Sequence, residues 1–373
     1  MSFSLPYIVL PNEQVNVITA NPNQEILKWI KSNDSVKFFI HPDMLEVHKQ
    51  FSERDKRISN AMKGKVNAKP TSSTRTMVIN VEHLPEFMIK ADLEKVISRF
   101  VREFDKTRVK FSIEICNALQ EATSNPLSPS SYGFLPETIG SWLEFPDGHS
   151  IGYVIRELNP LPIIYKDESF IPFFSLFSPN MINPKSELLI YQIIDNIMRK
   201  KKITDPSDAL LQYIFKPCLD SWAYLVYNFG ILPERHAQNC LLSLDSDGIP
   251  IRIIDRDLQG FTVDLTIRED RKLSTDFCHH IVARGKRSEN LSLCYDHRMG
   301  FQIFDPILEA IEKRYGGNTR IRTQEGIKKI FYEMTPSEFL KLFPKQQYGL
   351  DNTTMYRSCP SFNVVKSELP RYR

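Results

Sequence analysis

Residues 205–260 constrain the fold of this chain most, because they combine a helix with clear ends and a run of polar side chains. Asp205 followed by Pro206 is typical of a helix start, and Gly230 is typical of a helix end. Between these ends, apolar side chains recur every three or four residues, as on a buried helix face. They are Leu211, Ile214, Phe215, Cys218, Leu219, Trp222, Leu225, Val226 and Phe229. The segment predicts a helix in the core of a helical subdomain.

A polar block at 234–239 follows this helix and precedes a predicted hairpin. The hairpin joins a strand at 240–244 to one at 249–254 through the turn 245–248. That turn begins like a calcium-binding loop but lacks the downstream ligands, which favours ordinary turn chemistry.

The second strand of this hairpin runs directly into two carboxylates, Asp255 and Asp257. Kinase-like folds arrange a substrate loop and a metal-binding aspartate in a similar order. Magnesium prefers oxygen ligands, and a further carboxylate, Glu234, stands in the polar block. We therefore expect Glu234 and Asp257 to bind Mg²⁺.

The first half of the chain predicts strands at 36–40 and 77–81, with short helices between strand-like runs. Two stretches rich in proline and serine, 123–148 and 159–185, are predicted as long loops. Such loops could frame a cleft or a lid, or they could be plain surface connections.

Two clusters in this half could bind an anion. Five hydroxyl side chains surround Arg75 in the run 71–76, and short donors beside a guanidinium suit a phosphate. Apolar residues at 96, 97, 100, 101 and 104 predict a helix from 93 to 104. Ser98 and Arg102 would share its polar face, following Lys90 at the end of a strand. These side chains could converge on an anion, or they could be solvated.

Composition excludes several classes of protein. The 373 residues suggest about two domains, and 42% hydrophobic with 25% charged residues indicates a globular chain. A net charge of only +3 argues against a broad nucleic-acid surface. No apolar run approaches the roughly 18 residues of a membrane span, and no signal peptide is apparent. Six scattered cysteines suggest reduced thiols, so we expect a cytoplasmic protein without membrane or nucleic-acid partners.

Five motifs occur in a fixed order along the chain. They are Ser73-Thr74-Arg75-Thr76; Lys90, Ser98 and Arg102, spaced eight and four apart; Ile155-Arg156-Glu157; Gly230 to Asn239; and Arg256-Asp257-Leu258-Gln259-Gly260, with Ile40-His41-Pro42 before the first. This set resembles the motifs of the NRPS-independent siderophore synthetases of the aerobactin-synthetase type. Serine at position 98 is a mild departure, since the family often has threonine there.

The resemblance implies an enzyme that adenylates a carboxylic acid such as citrate with ATP and Mg²⁺, then passes the acyl group to an amine or alcohol. It implies that Lys90, Arg102 and His236 are catalytic and that Ser98, Arg102 and His236 bind the carboxylate substrate. The residues implied to bind ATP are Ser73, Arg75, Thr76, Lys90, His236, Gln238 and Asp257.

The resemblance also implies an α+β fold. A sheet-rich, antiparallel N-terminal lobe (1–160) would face a mainly helical lobe (161–373) across a cleft that holds ATP. Only 72 residues precede Ser73, whereas family members carry a large N-terminal domain there. We therefore expect a homodimer or a partner chain to replace that wall, a different substrate, or reduced chemistry. Two alternatives stay open: a kinase-like phosphotransferase and a non-catalytic nucleotide-binding remnant of a synthetase.

Overall fold

An antiparallel sheet of eight strands forms the first part of the computed structural model, which describes residues 2–44, 55–97, 100–278, 287–350, 364–366 and 369–373. The strands up to residue 157 are β1 (Phe3–Pro11), β2 (Asn16–Thr19), β3 (Ser35–Phe39), β4 (Met62–Pro70), β5 (Thr76–Ile79), β6 (Phe87–Ala91), β7 (Leu93–Ile97), β8 (Phe100–Arg102), β9 (Tyr132–Phe134), β10 (Glu137–Glu144) and β11 (Ser150–Glu157). The sheet order is β2-β10-β11-β6-β5-β4-β1-β3, so the predicted strands at 36–40 and 77–81 are confirmed as β3 and β5.

In the described part of this region, three α-helices accompany the sheet: α1 (Gln24–Ile30), α2 (Lys56–Asn60) and α3 (Lys106–Ser124). Asp105 caps the start of helix α3, because its side chain accepts a hydrogen bond from the Arg108 amide at 2.8 Å. The helix packs closely on the sheet because Val109 lies over two glycines of adjacent strands. A Cβ at Gly140 or at Gly152 would stand 2.6 Å from a methyl group of Val109.

The prediction of a helix from 93 to 104 is wrong. Strands β7 and β8 form an antiparallel hairpin there, with Val96 opposite Val101 and Ile97 opposite Phe100. β-Branched and aromatic side chains favour strands, and that preference outweighs a spacing that also fits a helix. Ser98, which was expected on the polar face of that helix, lies outside the described residues.

The two predicted loops also contain regular structure. The stretch 123–148 includes β9 and β10, because its dense run of prolines and serines, 126–131, is followed by a segment rich in apolar residues. The stretch 159–185 includes β12 (Ser169–Pro172) and α4 (Phe173–Phe177).

The second part of the chain is mainly helical, as predicted. Its remaining helices are α5 (Leu189–Lys201), α6 (Pro206–Leu210), α7 (Lys216–Phe229), α8 (Leu265–Asp270), α9 (Arg287–Ser292), α10 (Asp305–Tyr315), α11 (Gly317–Met334) and α12 (Ser337–Leu340), with π-helical turns at Leu211–Phe215 and Leu293–Phe304. The predicted caps are confirmed, because Asp205 accepts a hydrogen bond from the Ser207 amide and Gly230 ends α7 with a φ of +60°.

A second sheet lies among these helices. The further strands are β13 (Ile231–Leu232), β14 (Cys240–Leu244), β15 (Pro250–Asp255), β16 (Thr262–Val263), β17 (Tyr348–Leu350) and β18 (Val364–Lys366). The sheet order is β12-β14-β15-β9, so the predicted hairpin is confirmed as β14 and β15. Strand β9 of the first part pairs in parallel with β15, placing Phe134 opposite Asp255.

Three large apolar cores follow this division. One lies under the eight-stranded sheet, within residues 5–155, and a second lies among the helices, within residues 173–372. The third is shared, since it joins α3 and β9 to side chains of α7 such as Leu225 and Phe229. The predicted α+β architecture, a sheet-rich lobe followed by a helical lobe, is confirmed, while the boundary at residue 160 stays a prediction. Among the described residues, no helix combines the length and the apolar character needed to cross a membrane.

Candidate active site

The hydroxyl-rich run before β5 forms a tight turn that its own side chains close. The Thr71 hydroxyl donates a hydrogen bond to the Thr76 carbonyl at 2.8 Å and contacts the Ser73 carbonyl at 3.2 Å. The Thr76 hydroxyl lies 3.3 Å from the Ser73 hydroxyl. His41 supports the turn from outside, because its Nε2 lies 3.0 Å from the Thr74 carbonyl. The turn therefore fixes where β5 begins and which way Arg75 points.

Arg75 is buried and joins this turn to the end of β8. Its Nη1 donates to the carbonyls of Arg102 and Glu103, each at 3.1 Å, and its guanidinium lies 5.2 Å from the centre of the Phe104 ring. Burial lowers the pKa of Arg75 to about 10, while the charge of Asp257 opposes that change. Arg75 thus keeps its positive charge at neutral pH. It interacts electrostatically with Asp257 of the second lobe.

The two lobes meet at Asp257, in the loop after β15. Asp257 has a left-handed backbone with a φ of +72°. One of its oxygens, Oδ1, accepts hydrogen bonds from Lys90 Nζ on β6 and from Arg156 Nη2 on β11, the latter at 2.9 Å. Burial alone would raise the pKa of Asp257, but Lys90, Arg156 and Arg75 outweigh burial and lower that pKa. The carboxylate is therefore ionised and surrounded by cations.

Arg156 also binds a second carboxylate, deeper in the first lobe. Its Nη2 lies 2.5 Å from Oε1 of Glu137, whose side chain is fully buried. The second oxygen of Glu137, Oε2, has no hydrogen-bond partner among the described residues. Burial lowers the pKa of Lys90 to about 8, against the pull of Asp257 and Glu137. The site thus combines three basic side chains, Arg75, Lys90 and Arg156, with two carboxylates. Glu137 is buried and Asp257 is half-buried.

The polar block of the second lobe contains one residue that is structural. Arg235 is fully buried and holds both oxygens of Asp255, with its Nε 2.8 Å from Oδ1 and its Nη2 2.9 Å from Oδ2. Its Nη1 donates to the Cys218 carbonyl at 2.7 Å and to the Ser221 hydroxyl at 2.9 Å. Arg235 thus links the polar block to the end of β15 and to α7. Both oxygens of Asp255 are occupied by this ion pair.

His236 lies beside this ion pair, half-buried. Its Nδ1 accepts a hydrogen bond from the Gln238 amide at 3.2 Å. Burial lowers the pKa of His236. The charges of Glu234 and Asp257 oppose that change, and those of Arg298 and Arg256 add to it. The Gln238 side chain is exposed, and the backbone carbonyl of Gln238 accepts a hydrogen bond from Arg256 Nε at 3.0 Å. His236 is therefore mainly neutral at pH 7 and interacts electrostatically with Asp257.

Glu234, the other predicted magnesium ligand, is engaged by neighbouring side chains. Its Oε1 lies 3.0 Å from Arg298 Nη2, and its Oε2 lies 3.4 Å from the Asn239 amide nitrogen. The side chain also packs against Gly260, where an added Cβ would stand 1.7 Å from Oε2. Gly260 in the Arg-Asp-x-x-Gly motif thus leaves room for Glu234.

Magnesium bound to a nucleotide needs only one or two protein carboxylates, since phosphates and waters supply the other ligands. Asp257 fits this need, because its Oδ2 accepts no hydrogen bond within the described part of the chain and its side chain is 30% exposed. Glu234 would first have to leave Arg298. Among the described residues, no three His, Cys, Asp or Glu side chains form a group that could hold a metal ion alone.

The structure brings together most of the residues predicted from the sequence. Lys90 and Asp257 interact directly, Arg75 interacts with Asp257 electrostatically, and the charges of Glu234 and Asp257 both act on His236. The Arg102 side chain is half-buried, and its charge lowers the pKa of Arg75. Neither of two cavities, of about 550 and 640 Å³, is lined by any residue of this group.

Arg156 was not among the predicted site residues, although it lies at the centre of the group. The sequence did carry a signal for it, an arginine inside the apolar strand β11. A charged side chain on a buried strand needs a partner of opposite charge, so its position indicated an ion pair. Arg298 was missed for a different reason: it lies on a π-helical turn that no local motif marks.

Solved structures share this arrangement of strands and helices. The petrobactin biosynthesis protein AsbB from Bacillus anthracis matches all of this chain with a TM-score of 0.74 and 18% sequence identity. ATP-bound aerobactin synthetase IucA from Klebsiella pneumoniae matches 94% of the chain with a TM-score of 0.72 and 16% identity. The chain has the fold of the NRPS-independent siderophore synthetases.

This chain matches only part of each of these larger proteins. The chain covers 69% of AsbB, 66% of ATP-bound IucA and 64% of aerobactin synthetase IucC from Klebsiella pneumoniae, which matches with a TM-score of 0.68 and 14% identity. No model of a protein family matches the sequence, and no curated protein does.

Proposed function

We propose that this chain is an ATP-dependent ligase of the siderophore-synthetase type. It activates a carboxylic acid, such as citrate, as an acyl-adenylate and transfers the acyl group to an amine or alcohol. The observation that carries the proposal is the meeting of Arg75, Lys90 and Arg156 around one carboxylate, Asp257, in a fold shared with an ATP-bound synthetase.

The first step joins two anions, which explains the concentration of cations. A carboxylate oxygen attacks the α-phosphorus of ATP, a new O–P bond forms, and the bond to pyrophosphate breaks. Lys90, Arg75 and Arg156 would reduce the repulsion and stabilise the charge that develops on the phosphates. Arg102 would orient the carboxylate substrate through two hydrogen bonds.

The second step transfers the acyl group. The nitrogen or oxygen of the nucleophile attacks the acyl carbon, AMP leaves with the bonding electron pair, and the nucleophile gives up a proton. His236 is mainly neutral at pH 7 and interacts electrostatically with Asp257, so it could bind the substrate and accept that proton. Magnesium on the nucleotide would neutralise phosphate charge, with Asp257 as its protein ligand.

Product analysis tests the proposal. Protein is incubated with ATP, Mg²⁺, hydroxylamine and a panel of polycarboxylates that includes citrate. We expect pyrophosphate, AMP and an acyl hydroxamate that depend on the acid. Release of ADP would instead favour the kinase-like alternative, and ATP binding without any turnover would favour the non-catalytic one.

A variant pair links turnover to the site. His236→Asn should lower kcat/KM by about tenfold or more while ATP still binds, because a contact to substrate is lost. His83→Asn changes an exposed histidine outside the site and should have no effect. Equal activity of both variants would remove His236 from the proposed mechanism.

A further inference from the structure

Asp257 bridges the lobes through cations that belong to the first lobe. Lys90 and Arg156 lie on neighbouring strands, β6 and β11, and both donate to the same oxygen of Asp257. An oxygen that accepts from a lysine and an arginine at once has the chemistry of a bound phosphate oxygen. The carboxylate therefore takes the position that the cations would otherwise offer to a phosphate.

The two carboxylates of this group differ in how readily they could move. Glu137 is fully buried in the first lobe and receives two hydrogen bonds from Arg156, at 2.5 and 3.2 Å. Asp257 is 30% exposed and stands in a loop of the other lobe. Its second oxygen, Oδ2, accepts no hydrogen bond from any described residue. Asp257 is therefore better placed than Glu137 to leave the cations.

We propose that Asp257 is an internal competitor for the nucleotide phosphates, holding Lys90 and Arg156 until a nucleotide with a bound divalent cation releases it. The inference rests on the proposed function, because it assumes that ATP binds at this site. It adds a coupling between metal and nucleotide that the proposed chemistry alone does not require.

Electrostatics gives this coupling its direction. A metal-free triphosphate must break the ion pairs of Asp257 and then lie beside an uncompensated carboxylate, which repels it. A divalent cation on the phosphates offers Asp257 a new partner. Metal and nucleotide therefore strengthen each other's binding, and by reciprocity each raises affinity for the other by the same factor.

Calorimetric titration of the full chain with ATP tests the proposal, once in EDTA and once in excess Mg²⁺. We expect wild-type protein to bind ATP at least about tenfold more weakly in EDTA. Asp257→Asn should bind metal-free ATP at least about tenfold more tightly than wild type and should gain little from Mg²⁺. Inorganic triphosphate, used as a second probe, should follow the same pattern.

Asp220→Asn is the matched control, because Asp220 forms an exposed ion pair with Lys216 on α7. It should bind ATP as the wild type does. If Asp257→Asn gains no affinity for metal-free ATP while wild type binds ATP with Mg²⁺, the competitor is refuted and the proposed function stands. If the wild type binds ATP under neither condition, the proposed function itself fails.

Loss of folding in Asp257→Asn would show as a lost melting transition. The wild-type titrations then decide, because equal affinity for ATP with and without Mg²⁺ refutes the competitor. A loss of at least about tenfold in EDTA supports it.

Discussion

At the scale of single residues, Arg156 links two carboxylates that have different roles. It neutralises Glu137, which is fully buried, and it reaches Asp257 at the junction of the lobes. A buried charge without its partner is far more costly than an exposed one. The same residue therefore stabilises the first lobe through Glu137 and contributes to the proposed nucleotide site through Asp257.

Replacing Arg156 by methionine should lower the free energy of unfolding by about 3–5 kcal/mol, because Glu137 would keep a buried charge without a partner. Urea denaturation measures the loss. Lys216→Met removes an exposed pair with Asp220 and should cost less than about 1 kcal/mol. Similar losses of unfolding free energy in both variants would show that the buried ion pair stabilises the fold no more than the exposed one does.

Glu234 occupies space that is open only because residue 260 is glycine. Gly260→Ala places a methyl group where the carboxylate now lies, so Glu234 must move away from Arg298. We expect a loss of about 1–3 kcal/mol in thermal unfolding and weaker ATP binding.

Gly317→Ala is the control for Gly260→Ala, since its Cβ would have only one atom within 4 Å, 3.6 Å away, and alanine favours the helix there. It should leave ATP binding unchanged and stability equal or slightly higher. An unchanged ATP affinity in Gly260→Ala would show that Glu234 does not contribute to ATP binding.

At the scale of elements, local signals determined what the sequence could predict. The helix ending at Gly230 and the following hairpin were predicted because caps and turn residues act within a few positions. The segment 93–104 was not, since its apolar spacing fits a helix as well as a hairpin. The convergence of Arg75, Lys90 and Asp257 was expected only through the motif resemblance, because strand order decides which distant residues meet.

The π-helical turn Leu293–Phe304 supplies a pH-dependent element. His297 stacks on Phe301 with ring centres 5.6 Å apart and lies 3.2 Å from Gln302 Nε2. Burial, and then the charge of Arg298, lowers the pKa of His297 to about 4. Between pH 6.5 and 4 the unfolded chain therefore binds a proton at this histidine that the folded chain does not.

Stability should therefore fall as the pH is lowered from 6.5 to 4, by up to about 3 kcal/mol from this histidine alone. Urea denaturation across that range measures the slope. His297→Gln should flatten it, whereas the exposed His83→Gln should leave it unchanged. A slope that is the same in all three proteins would contradict the role of His297.

At the scale of the whole molecule, the lobes share an apolar core. Helix α3 of the first lobe packs with α7 of the second, and the Tyr224 hydroxyl donates to the Ala122 carbonyl at 2.8 Å. Leu225 and Phe229 extend the same core. Two lobes that bury side chains against each other should unfold together.

We expect one unfolding transition for both lobes. Trp29 and Trp142 report on the first lobe and Trp222 on the second, so variants that retain one tryptophan each should give coincident curves. Leu225→Ala should lower the free energy of unfolding reported by all three curves by about 2–5 kcal/mol. Two separated transitions would show that the shared core does not couple the lobes.

Strand β9 has a consequence for dividing this chain into fragments. It belongs to the first lobe in sequence but pairs with β15 inside the second sheet, through Tyr132, Gly133 and Phe134. A fragment starting at residue 161 would leave the backbone of β15 unpaired along that side. Open strand edges recruit other chains, so such a fragment should self-associate, whereas one that starts before Tyr132 keeps the edge covered.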